Sequence, residues 1–188
     1  MRIIGGQNRG TVLAELGRGD ERAHLRPTPD RVREALFSML LSGRYGNAVQ
    51  DTHVLDLFAG TGALGLEALS RGAAFASFVD NGRTALDLIA KNIAKTRQQD
   101  SSAVLNCAAA KLPPNTQDAC DLVFLDPPYG AGLGAPALTS AKTQGWVAPG
   151  ALIIWEETSP QPAPPGFVMR EYRRYGASHI TILEAVND

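Results

Sequence analysis

A chain of 188 residues, 44% apolar and 20% charged, has room for one ordinary globular domain and excludes global disorder. Its net charge of −1 hides an asymmetry, because residues 1–50 carry eight arginines against five acids, a balance of +3 that leaves −4 for the remainder. Cys107 and Cys120 are too few and too far apart for a disulfide framework or a zinc site, the start Met1-Arg2-Ile3-Ile4 has no signal-peptide core, and no apolar run could span a membrane, so a soluble cytoplasmic protein with reduced core thiols and no metal is expected.

Taken in order, residues 2–4 and 11–16 are short β-prone segments around Gly5-Gly6-Gln7-Asn8-Arg9-Gly10, which predicts a hairpin. A polar loop covers residues 17–25. Thr28 is placed as an N-cap, with Pro29 in the first helical position and Asp30 in the first turn. Val32, Ala35, Leu36, Met39 and Leu40 then recur at helical spacing, which puts Arg31, Arg33 and Glu34 on the opposite side. A solvated helix face accounts for those charges; the functional alternative is that Arg26, Arg31 and Arg33 form a basic edge. Arginine suits either phosphate or base contacts.

Further along, apolar runs predict strands at His53–Leu57, Ala76–Val79, Ala103–Cys107, residues 121–125 and Ala151–Trp155. Helical patterns separate them, ending near Arg71 and covering residues 83–97 and Ala135–Gln144. Residues 167–173 and 178–185 read as a closing antiparallel pair after the Pro-rich connection from Ser159 to Gly166. Alternating strands and helices demand a parallel sheet with right-handed crossovers, in a single domain without repeats.

Two stretches carry chemistry. Gly60-x-Gly62-x-x-Gly65 follows the first strand, and Asp80 stands twenty residues after Gly60, so the pattern matches the dinucleotide fingerprint. Asp56 argues for another ligand: a carboxylate there would repel a pyrophosphate and attract an ammonium or sulfonium, the two cations of S-adenosylmethionine. The second stretch is Asp126-Pro127-Pro128-Tyr129, directly after Leu122-Val123-Phe124-Leu125. Two prolines fix two φ angles and donate no N–H, so the corner is stiff and offers only acceptors beside an aromatic ring. That chemistry suits a planar base with an exposed amino group, although Asp-Pro-Pro also opens ordinary loops.

Val54 to Gly62 resembles the cofactor motif of class I methyltransferases, and Asp126-Pro127-Pro128-Tyr129 resembles the catalytic signature of those that methylate exocyclic amino groups. With Arg2-Ile3-Ile4-Gly5-Gly6 and the stretch Arg26 to Phe37, the chain is similar almost end to end to the bacterial 16S ribosomal RNA guanine-N2 methyltransferase family. The resemblance implies a Rossmann-like α/β fold with a mostly parallel seven-stranded sheet and an antiparallel C-terminal strand. It also implies an N-terminal RNA-binding extension over 1–45 before a catalytic core over 46–188. S-adenosylmethionine would be held by Asp56, Phe58, Ala59, Gly60, Thr61, Gly62, Asp80, Asn81 and Ala109, leaving S-adenosylhomocysteine as product. Asp126, Pro127, Pro128 and Tyr129 would be catalytic, and Arg9, Arg26, Thr28, Arg31 and Arg33 would contact RNA. The implied partner is 16S rRNA in the small subunit or its assembly intermediate, with the enzyme acting as a monomer. Asn106-Cys107-Ala108 departs from the acidic residue that many relatives carry after the third strand, so adenine contacts there would come from backbone. The residues themselves leave open an adenine-N6 or glutamine methyltransferase, a catalytically silent RNA-binding assembly factor and a nicotinamide oxidoreductase.

Overall fold

The computed structural model describes residues 1–15 and 29–186. The expectations for Arg26, Thr28 and the loop 17–25 lie outside the described residues.

Among the described residues the α-helices and strands are α1 (Asp30–Leu40), β1 (His53–Leu57), α2 (Ala63–Ser70), β2 (Phe75–Asp80), α3 (Arg83–Thr96), β3 (Ser102–Asn106), β4 (Cys120–Leu125), α4 (Gly134–Thr143), β5 (Val147–Glu157), β6 (Phe167–Tyr175) and β7 (Ser178–Ala185). The seven strands form one sheet in the order β3-β2-β1-β4-β5-β7-β6. Strands β1 to β5 pair in parallel, and β7 runs antiparallel to both of its neighbours. The order reverses between β1 and β4, which opens a crevice at their carboxyl ends, the usual ligand position in an open α/β sheet.

Strand alternation sorts the core into two layers. Val54, Phe78, Phe124, Ile154 and Ile182 face the side covered by α1, α2 and α3. Leu55, Val79, Leu125, Trp155 and Leu183 face the side covered by α4. Phe37 of α1 meets Phe124 of β4 with ring centroids 5.7 Å apart, at a tilt. Central strands buried on both faces explain the continuous apolar runs seen in the sequence.

Some boundaries differ from the expected ones. Helix α1 begins at Asp30, and Pro29 stands at the cap with ψ 145°, its carbonyl accepting from the Val32 and Arg33 N–H groups at 2.9 and 3.1 Å. Strand β5 runs past Trp155 to Glu157 because Glu156 and Glu157 pair with Ile180 and His179 of β7. Pairing with a strand that follows later in the chain extended it, and no local pattern announces that.

The N-terminal segment does form a turn closed on itself, with Arg2 bridged to Val12. It is moored to the helices rather than standing apart. Glu67 of α2 accepts from the Ile4 and Gly5 N–H groups, each at 2.8 Å, and the Ser70 hydroxyl accepts from Asn8 N–H at 2.9 Å. Ile3 and Leu13 are buried in the same core layer as α1 and α2. Arg33 is fully buried (0% exposed) in this junction. Its Nη2 donates to the Arg2 carbonyl at 2.5 Å and to Asp30 at 2.9 Å. Arg33 therefore lies neither on a solvated helix face nor on a basic edge, and both expectations are corrected for this residue. Residues 33, 36, 37 and 40 are spaced i, i+3, i+4, i+7, so Arg33 opens the buried stripe.

Candidate active site

Strand β1 leaves the sheet through Phe58, which is forced to φ 60°, and then through Gly60 at φ 58° and Gly62 at φ 76°. Only glycine adopts that left-handed region without strain, so the turn needs glycine at 60 and 62. The loop is pinned from below: Ala59 N–H donates to the Val79 carbonyl at 3.0 Å, and Gly60 N–H donates to Asp80 Oδ2 at 2.9 Å. Asp80 Oδ1 accepts from Gly82 N–H at 2.8 Å. Asp80 thus clamps the loop and the turn after β2 together, and each oxygen keeps a further lone pair as an acceptor.

Gly65 has another role. A Cβ there would stand 2.4 Å from Phe78 Cε1 and 3.1 Å from Asp56 Oδ2, so glycine allows α2 to press onto β1 and β2. Gly65 N–H donates to Asp56 Oδ2 at 2.9 Å. Asp56 was expected on the ligand-facing surface, yet it is only 2% exposed and sits under the loop. Burial pushes its carboxyl up to about 7; the Gly65 N–H pulls the other way, and the Asp80 charge adds to the rise. A cation bound across the loop would favour the ionised form.

Strand β4 neighbours β1, with Leu125 beside Leu57. Asp126 N–H reaches the Leu57 carbonyl at 3.4 Å, which brings the Asp-Pro-Pro-Tyr corner next to the glycine loop. Pro127 is buried, Pro128 is exposed, and Asp126 and Tyr129 are half-buried. The Tyr129 hydroxyl donates to Glu156 at 2.7 Å and lies 3.0 Å from the Ser178 hydroxyl. Gly130 N–H donates to Glu157 at 2.7 Å. Two carboxylates at the end of β5 therefore grip the corner from both faces of the sheet. Burial pushes the Tyr129 hydroxyl up to about 12, with Glu156 and Asp126 adding to the rise and Ser178 opposing it, so the ring stays neutral.

The remaining expected cofactor residues fall on the same edge. Thr61 lies in the glycine loop, Asn81 is exposed after β2, and Ala109 is buried in a short 3-10 turn after β3. A cavity of about 680 Å³ lies elsewhere, lined by α4 and the Pro-rich connection, and includes none of these residues. Of the expected RNA contacts, Arg9 and Arg31 are exposed and Arg33 is not.

The sequence singles out neither Glu156 nor Glu157, and Asn92 enters it only as one position of the helical pattern over residues 83–97. The two glutamates follow the apolar run of β5 at the carboxyl edge, the same placement that singled out Asp126. Asn92, buried on α3, donates to the Thr61 carbonyl at 2.9 Å and to the Ala14 carbonyl at 3.1 Å, and accepts from Ala14 N–H at 2.6 Å. It joins the glycine loop to the N-terminal segment. A lone amide in an otherwise apolar helical stripe was the available cue.

The chain is similar to known proteins over most of its length. The family model described as Conserved hypothetical protein 95 matches residues 1–184. Ribosomal RNA small subunit methyltransferase D of Escherichia coli K12 is 40% identical over 156 residues, covering 83% of this chain and 74% of the relative. Its namesake in Haemophilus influenzae is 34% identical over 165 residues, covering 86% and 81%. Among solved structures, the putative methyltransferase yhhF from Escherichia coli superposes with a TM-score of 0.82 at 34% identity, over 100% of this chain and 99% of that one. The chain is a member of the Conserved hypothetical protein 95 family and, by its identity over most of its length, of the family of the ribosomal RNA small subunit methyltransferases D.

Proposed function

We propose that this protein transfers a methyl group from S-adenosylmethionine to the exocyclic N2 of a guanine in small-subunit ribosomal RNA. The observation that carries the reading is the meeting of two motifs at the β1–β4 switch point, an acceptor-rich proline corner beside a glycine loop that has a buried carboxylate beneath it. The relatives, named as small-subunit ribosomal RNA methyltransferases, support the same reading.

The residues fit the cofactor. Gly60 and Gly62 let a ligand approach the backbone, Asp80 offers acceptors for ribose, and Asp56 supplies a negative field to the cationic end. S-adenosylmethionine supplies an electrophilic methyl on a sulfonium. The protein's task is to present the amine, because the N2 lone pair is delocalised into the ring. The Asp126 carboxylate and the Pro127 carbonyl accept the two amino hydrogens and turn that lone pair out of conjugation. With the methyl donor held by the glycine loop, Asp80 and Asp56, the S–C electrons would stay on sulfur, and Asp126 would take up the surplus amino proton and pass it to water. Tyr129, held by Glu156 and Ser178, offers its ring to the extruded base, worth about 1–3 kcal/mol. Positioning and electrostatics are the main catalytic contributions.

Asp126→Ala tests the assignment. The variant should bind S-adenosylmethionine normally and lose at least ~100-fold in turnover, the scale for removing one positioned polar group. Near-normal turnover rejects it. Nucleoside mass spectrometry of a strain lacking the gene identifies the target: loss of N2-methylguanosine is expected, and loss of N6-methyladenosine instead would overturn the choice of base.

A further inference from the structure

The corner that would hold the base is rich in carboxylates: Asp126, Glu156 and Glu157 converge there. An RNA strand delivering a base to it must have its phosphates held elsewhere, by cations close by. Of the basic residues expected to do this from the N-terminal side, Arg33 is buried. The β6–β7 hairpin provides the alternative.

The β6–β7 turn projects from the same edge of the sheet as the corner, since Glu157 of β5 pairs with His179 and His179 with Arg174. Ser178, beside the Tyr129 hydroxyl, pairs across the turn with Tyr175. Glu156 and Arg173 both pair with Ile180, so they share one face of the sheet, two strand spacings or about 10 Å apart. Two arginines gather on Glu171 here, and a third, Arg174, stands at the turn beside Arg173 in sequence. Glu171 accepts from Arg44 at 2.8 Å and from Arg173 at 3.0 Å, and also from the Tyr45 hydroxyl. Arg174 folds over the tip of the turn, its Nε donating to the Gly176 carbonyl at 3.0 Å. Although its burial works the other way, Glu171 is held below the usual carboxylate range by Tyr45, Arg173 and Arg44, and so remains a fixed anchor.

Glu171 against the two guanidinium groups it holds leaves +1, and Arg174 adds a further positive charge at the turn. Those charges stay accessible, the Arg44 side chain being 57% exposed and Arg174 exposed. Isolated surface ion pairs do little for stability. Two arginines fixed by one acid, with a third at the neighbouring turn, on the rim of an acidic pocket have the chemistry of a phosphate clamp. We propose that Arg44, Arg173 and Arg174 bind RNA phosphates next to the target nucleotide, forming an RNA contact where the end of the N-terminal extension meets the β6–β7 hairpin. This rests on the proposed RNA methyltransferase function.

The test uses the full-length protein and small subunits from a strain lacking the gene. Initial rates of methyl transfer, measured from 50 to 200 mM salt, are compared for the wild type and for Arg44→Ala with Arg174→Ala. Each lost phosphate contact lowers the log–log salt slope by about 0.7–0.9. The double variant should therefore lose about 1.4–1.8 from the slope of kcat/KM, with unchanged S-adenosylmethionine affinity by calorimetry showing that the fold is intact. An unchanged slope overturns the assignment. So does a photo-crosslinker placed at position 174 that captures ribosomal protein instead of RNA. If the wild type itself transfers no methyl to small subunits, the underlying function fails first and this inference falls with it.

Discussion

Asp56→Asn offers a quantitative test of how the cofactor loop is built. The carboxyl ionises near 3.8 when free and at about 7 when folded, chiefly because it is buried. The folded protein therefore holds the proton more tightly than the unfolded chain. Stability attributable to this group is highest below about pH 4, declines as pH rises towards about 7, and stays lowest above that. At about 1.4 kcal/mol per tenfold change in protonation, full ionisation costs on the order of 4 kcal/mol. Roughly 2–3 kcal/mol of this should be lost between pH 5 and pH 8. Asparagine keeps an oxygen for the Gly65 N–H and cannot ionise, so any other cost of the substitution is the same at every pH. Urea unfolding of the cofactor-free proteins at pH 5, 6.5 and 8 should show the wild type falling relative to Asp56→Asn by that amount. Parallel pH profiles would refute the claim that a buried, protonatable carboxylate supports the loop. The same linkage requires S-adenosylmethionine to bind the wild type more tightly as pH rises through about 7 if its cationic end faces Asp56, and to lose that dependence in the variant.

The two arginines of α1 should separate cleanly. Arg33→Ala should lower unfolding stability by at least ~2 kcal/mol, as expected for a large truncation in a packed site. Arg31→Ala should stay within about 0.5 kcal/mol in stability and weaken RNA binding instead; a stability loss at 31, or none at 33, would contradict their placement. Asn92→Ala leaves Thr61 and Ala14 without their amide partner, so it should cost about 1–3 kcal/mol in thermal or urea unfolding and weaken S-adenosylmethionine binding in calorimetry. Unchanged affinity would detach Asn92 from the cofactor loop. Tyr129→Phe keeps the ring and should lose less than ~10-fold in kcat/KM, whereas Tyr129→Ala forfeits stacking worth about 1–3 kcal/mol and should lose more; equal losses would assign the role to the hydroxyl.

The elements that could be read from the chain were those whose cause is local. Leu122 to Leu125 and Val54 to Leu57 announce buried strands because a parallel sheet covered on both faces needs apolar residues on both sides. Gly60 and Gly62 announce a turn because the backbone there must enter the left-handed region. The order of motifs along the chain, together with the crossover rule, also brings the glycine loop and the proline corner to one edge. What became of the polar residues depended on partners far away in sequence. Arg33 is buried because the Arg2 carbonyl comes to meet it, Glu67 because Ile4 and Gly5 need an acceptor, and Asn92 because Ala14 lies across it. Glu156 became the support of Tyr129 only when β7 paired with β5 and extended that strand. Hydrophobic patterning reports which face of an element is buried. Whether a charge or an amide can be buried with it is a question of hydrogen-bond partners, and those were supplied only by tertiary structure.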